Sequence, residues 1–288
     1  MWRSLPHRDR SRIRGLAFWI AVVTIAFAQP LIRLVLYTAQ SPLDSYILLV
    51  PFVAGYFLYL QRGTCPAAYR SSVTGTVIVG SIGLIALIAR IALRERLSVN
   101  DDLTLMALAY VNFVATGGFL LLGSKWMTAA AFPIAFLIFL VPLPDRAVNV
   151  LETASVLASA DVAALFFKIT GTPVLRDGTV FALPGIVIRV AQECSGIHSS
   201  WVLFITSLIA SHMFLKSQWR KILLVAFVIP LGIVRNAFRI LVIGLLCVHI
   251  GPNMIDSPIH HQGGPIFFVL SLAPLVLFMA WLQWQERQ

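Results

Sequence analysis

Three side chains suited to acyl-transfer chemistry are carried by three different apolar segments. Cys194 lies in Ala191-Gln192-Glu193-Cys194-Ser195-Gly196-Ile197, Arg239 in Asn236-Ala237-Phe238-Arg239, and His260 in Ile259-His260-His261-Gln262-Gly263-Gly264. A thiol with its ordinary pKa of ~8.5 is mostly protonated near neutral pH, and only the thiolate attacks a carbonyl well. A neighbouring imidazole takes that proton and later returns it to the leaving amine. A fixed cation steadies the thiolate, or the oxyanion that forms on attack. Arginine suits a partly dry site because it stays charged and presents its donors in a rigid fork. Inside an apolar segment it costs ~2.5–3.5 kcal/mol, so a functional role is the default expectation there.

The elements that carry these groups follow from composition. Of 288 residues, 59% are hydrophobic and 12% charged, with a mean hydropathy of +0.87. A soluble chain is about half apolar and about a quarter charged. Such an excess cannot be hidden in a water-soluble core of this size, which excludes soluble enzymes, nucleic-acid readers and disordered regulators. The net charge of +10 then reads as Lys- and Arg-rich cytoplasmic loops rather than affinity for nucleic acid. Three scattered cysteines, Cys65, Cys194 and Cys247, make neither a disulfide framework nor a Cys-rich metal site.

A span needs ~20 mostly apolar residues. Eight segments fit: Leu16–Leu36, Tyr46–Leu60, Val73–Leu93, Leu103–Leu122, Trp126–Val141, Ser195–Leu215, Ile222–Val248 and Gly263–Leu282. The expected fold is an all-α polytopic membrane protein, a single integral domain over 1–288 with a kink or break at Pro230. The first apolar run is too long for the core of a signal peptide, and no small-residue cleavage site follows it. Basic residues concentrate in the N-terminal arm (Arg3 to Arg14), around Arg62 and Arg70, at Lys125, at Lys216, Arg220 and Lys221, and at Arg287. The intervening loops hold nearly all the acids. Both termini are therefore expected in the cytoplasm. That topology brings Cys194 and His260 to the outer face. Arg239 lies ~25 Å up its helix, close to the outer edge of a ~30 Å core.

The long polar stretch 143–193 is expected outside as a cap. Val148, Leu151, Ser155, Ala158, Val162, Leu165 and Ile169 recur at steps of three and four, an amphipathic stripe suited to the interface or the bundle. The pairs Asp177-Gly178 and Pro184-Gly185 then separate β-prone runs, so a hairpin extended into a small meander leads to Cys194.

Other intramembrane hydrolases leave no trace: there is no His-Glu-x-x-His, no Gly-x-Ser-x-Gly, and no acid within a span. A metal site at His260, His261 and Asp256 is the weaker reading, because a good site needs three or four convergent ligands. No cofactor is expected. Taken singly, the cysteine reads as an inert small hydrophobe, the histidines as interfacial polar groups and Arg239 as a snorkelling cation; their common face is what sets them apart. Cys65, Cys247, His7, His212 and His249 read as structural.

At Cys194-Ser195-Gly196-Ile197 the sequence resembles the exosortase/archaeosortase family. The likeness extends to Asp44-Ser45-Tyr46 through Val50-Pro51-Phe52, and to Phe132-Pro133-Ile134-Ala135-Phe136-Leu137 running into Val141-Pro142-Leu143-Pro144. It continues through Gly171-Thr172-Pro173-Val174 to Gly178-Thr179, then Asn236-Ala237-Phe238-Arg239, and His260 followed by Gly263-Gly264. No single block is specific, but their order across residues 44–268 is. The sequence departs from the family at Pro265, where many relatives have tryptophan, and at His198, where arginine or glutamine is common.

The resemblance implies a multi-pass cysteine protease or transpeptidase of the bacterial inner membrane, active on the extracytoplasmic side. Its substrates would be exported proteins with a C-terminal sorting tail: a short motif (often Pro-Glu-Pro), one hydrophobic span and a basic cluster. Cleavage would pass through a thioacyl intermediate to an acceptor that the sequence does not name. Carried over by position, Cys194 is the nucleophile, Arg239 the essential arginine and His260 the essential histidine. Arg235, one turn before Arg239 on the same face, is the alternative for the arginine's place, and Asn236 and Glu193 are supporting candidates. The rival reading is a non-enzymatic transporter or assembly scaffold for envelope polysaccharide, its intramembrane arginines holding an anionic lipid-linked substrate.

Overall fold

The computed structural model describes residues 7–41, 44–61, 70–190, 196–257 and 264–288. They form two compact units, Met1–Ala147 and Val148–Gln288. Among the described residues six helices are long and apolar enough to cross a membrane, and a seventh if one bent pair counts as a single span. This is a multi-pass membrane protein.

The first unit opens with that bent pair, α1 (His7–Ala26) and α2 (Ala28–Gln40), which meet at 72°. The run Leu16–Leu36 was expected as one span. Pro30 explains the break, since its ring opposes the carbonyl four residues back, that of Ala26, where α1 stops. A 3₁₀ turn (Ser45–Leu49) leads into α3 (Val50–Gln61), and then come α4 (Val73–Leu93) and α5 (Val99–Leu121). Small residues bring the last two close: a Cβ on Gly83 would lie 3.3 Å from that of Asn112, and Ala86 and Ala109 are buried. The rest of α4 is exposed through Val77, Ile78, Ile85, Ile88 and Ile91, an apolar surface suited to lipid. Two polar contacts tie α1 to α5: Trp19 Nε1 donates to the Phe113 carbonyl at 2.9 Å, and the Thr24 and Tyr110 hydroxyls meet at 3.1 Å.

The expected span Trp126–Val141 is built from short pieces: α6 (Ser124–Ala129), α7 (Ala131–Phe136) and a 3₁₀ turn (Leu137–Leu140). It nevertheless returns the chain along the full length of α5. Gly123 follows the C-terminal end of α5, while at the other end Thr104 donates to the Pro142 carbonyl at 3.2 Å and Asn100 to the Leu143 carbonyl at 2.7 Å.

The second unit holds most of α8 (Asp145–Ile169), strands β1 (Leu175–Asp177), β2 (Val180–Leu183) and β3 (Ile186–Arg189), α9 (Ile197–Phe214), α10 (Gln218–His249), a 3₁₀ turn (Pro252–Asp256) and α11 (Gly264–Arg287). The strands form one antiparallel meander, with Arg176 opposite Phe181 and Phe181 opposite Ile188, turning at the two dipeptides read from the sequence. Helix α10 continues unbroken through Pro230. Its 32 residues measure ~48 Å, against a hydrocarbon core of ~30 Å. Against its C-terminal third pack α8 and the sheet: Val156, Ala160, Ala163 and Phe167 of α8 share a core with Phe181, Ile188 and the α10 residues Ala237, Ile240, Ile243 and Cys247.

The buried stripe of α8 is not the expected one. Leu151, Leu165 and Ile169 are exposed, and the enclosed face is Val156, Ser159, Ala160, Ala163 and Phe167. Small residues face the protein, where backbones approach closely, and larger apolar ones face outwards, the arrangement lipid favours. By length and hydropathy α8 would also suffice to cross a membrane. The approach to α10 is close enough that a Cβ on Gly244 would fall 2.5 Å from Phe167 Cζ. Gly244→Val is therefore expected to cost ~1–3 kcal/mol through overpacking. Thermal unfolding in detergent would show a fall of several degrees, and an unchanged midpoint would contradict this packing.

Candidate active site

The site is built on one turn of α10. Arg235 and Asn236 are 7% and 2% exposed, in the C-terminal half of a long apolar helix. The Arg235 guanidinium reaches to the start of α9, where Nη2 donates to the Gly196 carbonyl at 2.8 Å and to Ser200 Oγ at 2.9 Å. The same carbonyl accepts from the Ser200 amide at 3.0 Å and from Ser199 Oγ at 3.3 Å. Gly196 caps α9 in the left-handed region, at φ +68°, where a side chain is strained. The space is tight as well: a Cβ would lie 3.0 Å from Arg235 Nη2 and 3.2 Å from Asn236 Oδ1, so those side chains would have to give way. One turn back on α10, Gly232 admits Ser200, whose Oγ would stand 2.7 Å from a Cβ there.

This arrangement makes Gly196→Ala informative. The left-handed conformation costs an alanine ~1–2 kcal/mol, and the methyl group displaces the guanidinium. Processing of any substrate is expected to fall at least tenfold, on the scale of a 1 Å misplacement of a positioned group. Far-ultraviolet circular dichroism should stay unchanged, and wild-type turnover in this variant would show that the cap has no part in the chemistry.

Arg239 stands one turn beyond Arg235 on the same face, half-buried with its Nε enclosed. Beside it, the Phe238 ring meets Phe267, in the first turn of α11, edge-on at 6.3 Å. The start of α9 and the start of α11 thus both come to residues 235–239 of α10. The turn Pro252–Asp256 rests on the same core through Met254 and Ile255. Two donors in this region, Arg235 Nη1 and Asn236 Nδ2, are buried with no hydrogen-bond partner among the described residues. Leaving such a donor unmade costs ~1–3 kcal/mol. His198 Nδ1, on the first turn of α9, is enclosed in the same way.

The opposite end of the second unit is basic. Glu286 accepts from the Lys216 amide at 3.0 Å and the Ser217 amide at 2.9 Å, and Arg220 donates to the Gln285 carbonyl at 3.1 Å. From Gln218 to Arg235 is ~26 Å of helix.

Of the residues singled out from sequence, Arg235, Asn236 and Arg239 come together here, whereas Glu193, Cys194, His260 and His261 lie outside the described residues. Cys247 is buried in the core beneath the sheet, as a structural cysteine should be. Sequence reasoning missed Gly196, Ser200 and Gly232 as the seat of the arginine. Their signal was available: small residues at a helix start and one turn before a buried cation, the composition that lets two membrane helices touch.

A helical multi-pass membrane protein whose buried arginine is bonded to the helix cap two residues beyond a cysteine defines a narrow class. The family model of transmembrane exosortases matches residues 37–277, most of the chain, and the protein belongs to that family. No curated protein and no solved structure matches the chain.

Proposed function

We propose that this exosortase is a membrane-embedded cysteine protease or transpeptidase that removes the C-terminal sorting tail of exported proteins. The Cys194 thiolate attacks the carbonyl carbon at the tail motif, and His260 takes the thiol proton. Arg239 steadies the oxyanion and binds the motif's carbonyl or carboxylate. Collapse of the tetrahedral intermediate breaks the C–N bond, and the tail leaves as an amine carrying the proton from His260. The thioester that remains is resolved by an acceptor nucleophile, or by water. Arg235 positions rather than reacts, because its Nη2 is committed to the α9 cap; Asn236 and Glu193 orient the groups around it.

The observation that carries this reading is the convergence on α10: the helix starts flanking the segments with Cys194 and His260 both meet the turn that holds the two arginines. The positive end of α9, with Ile197 first, begins three residues beyond Cys194 and favours a thiolate. The buried, unmade N–H groups of Arg235 and Asn236 suit a carbonyl-rich partner.

Orientation follows from the two ends of α10. The Lys216–Lys221 end belongs in the cytoplasm by the positive-inside rule, which puts Arg235–Arg239 at the extracytoplasmic edge. We read eight crossings with both termini inside, the broken 124–142 run being the fifth. Helix α8 then lies with the sheet as a cap on the overhanging third of α10.

The test pairs the protein with a reporter carrying a motif, a hydrophobic span and an arginine cluster. Intact-mass analysis should show a product cut at the motif, either one water heavier or bearing an acceptor. A reporter left whole by wild-type protein, across several motifs, would defeat the proposal.

A further inference from the structure

A cavity of about 510 Å³ opens in the first unit between the C-terminal half of α2, the end of α4 and the start of α5. Arg33, Arg90 and Arg94 line it, with Tyr37 and the carboxylate of Asp102. Asp102 is engaged by Arg90 in an ion pair. Three guanidiniums against one carboxylate leave the wall with a surplus of two positive charges.

Arg33 carries its charge inside the apolar run Leu31-Ile32-Arg33-Leu34-Val35, where a cation is costly unless something offsets it. The helices around the mouth also present bare apolar side chains: Ile32 and Leu36 are each 60% exposed, Val99 71% and Ile91 73%. A cationic cavity rimmed by apolar surface matches a molecule that is anionic at one end and apolar at the other. We propose that this cavity seats the phosphate of an anionic membrane lipid, with its acyl chains along the exposed faces of α2 and α4. Guanidinium forks match phosphate oxygens bidentately, and the Tyr37 hydroxyl supplies a further donor. A free phosphate or an acidic peptide would use the cations and leave the apolar rim idle. The site is independent of the cysteine chemistry, and its test requires no turnover.

Full-length protein in detergent would be titrated with dioleoylphosphatidylglycerol, dioleoylphosphatidylcholine and glycerol 3-phosphate, and bound species counted by native mass spectrometry. The anionic lipid is expected to bind at least about tenfold more tightly than the zwitterionic one, and Arg33→Gln with Arg94→Gln should erase that margin. Asp102→Asn, which raises the cavity's charge, should widen it, a gain that a misfolded variant cannot imitate. Equal affinity for the two lipids, or an undiminished margin in the double variant, would overturn the proposal. So would glycerol 3-phosphate or an acidic Pro-Glu-Pro peptide binding as tightly as the lipid.

Discussion

Cys194→Ala is expected to lower removal of the sorting tail by roughly 10⁴-fold or more, while the protein remains folded in the membrane. The size follows from the mechanism: without the sulfur no thioester forms, and neither the arginine nor the imidazole can substitute for a missing nucleophile. His260→Ala should act on the same step, and the double variant should be little worse than either single one, because residues that act as a unit are not additive. Both variants would be compared in the reporter assay with matched expression and unchanged melting. Processing that survives in Cys194→Ala and His260→Ala alike would remove the mechanism. A transporter or scaffold would instead leave the reporter whole with or without the thiol. Processing that survives His260→Ala but fails in His198→Ala would move the base to the first turn of α9.

The second large effect is expected at the arginine pair, where two residues one turn apart should behave differently. On the proposed mechanism Arg239→Gln removes the cation that faces developing charge, and kcat should fall by about 10²–10³-fold with stability unchanged. Arg235→Gln acts through position. It removes a buried charge whose described partners are neutral, so the melting temperature should hold or rise. The Gly196 carbonyl keeps its bonds from Ser199 and Ser200, yet the start of α9 is no longer pinned to α10. Turnover should fall less than for Arg239→Gln. Lysine at 235 should rescue little, since a strongly hydrated ammonium does not reproduce the planar guanidinium whose Nη2 reaches both acceptors. A larger loss of kcat at Arg235 than at Arg239, with partial rescue by lysine, would exchange their roles.

The chemistry of short neighbourhoods was readable in the chain itself. Asp177-Gly178 and Pro184-Gly185 mark the turns of the meander because turn conformation is set by two or three residues, and β2 falls between them with β1 before and β3 after. The apolar excess alone placed the protein in a membrane. Spacing by four put Arg235 and Arg239 on one face of a helix. Pro30 carried the signal for the break after α1, although the apolar run concealed it.

Other features needed the third dimension. Which face of α8 turns inward could not be read from hydrophobicity, because lipid and protein interior are equally apolar and the contrast that orients a soluble helix is absent. Side-chain size decided it instead, through the close approach of Phe167 to Gly244. The broken run after α5 leads back to the start of that helix without being a long helix itself, since its far end is tied there by hydrogen bonds from Asn100 and Thr104 to the Leu143 and Pro142 carbonyls. The choice of Arg235 to hold Gly196 likewise depends on the register between α9 and α10, two helices whose contacting residues are 39 positions apart. No local pattern encodes that register: it is set by where Gly232 lets Ser200 approach, and only the packed pair reveals it.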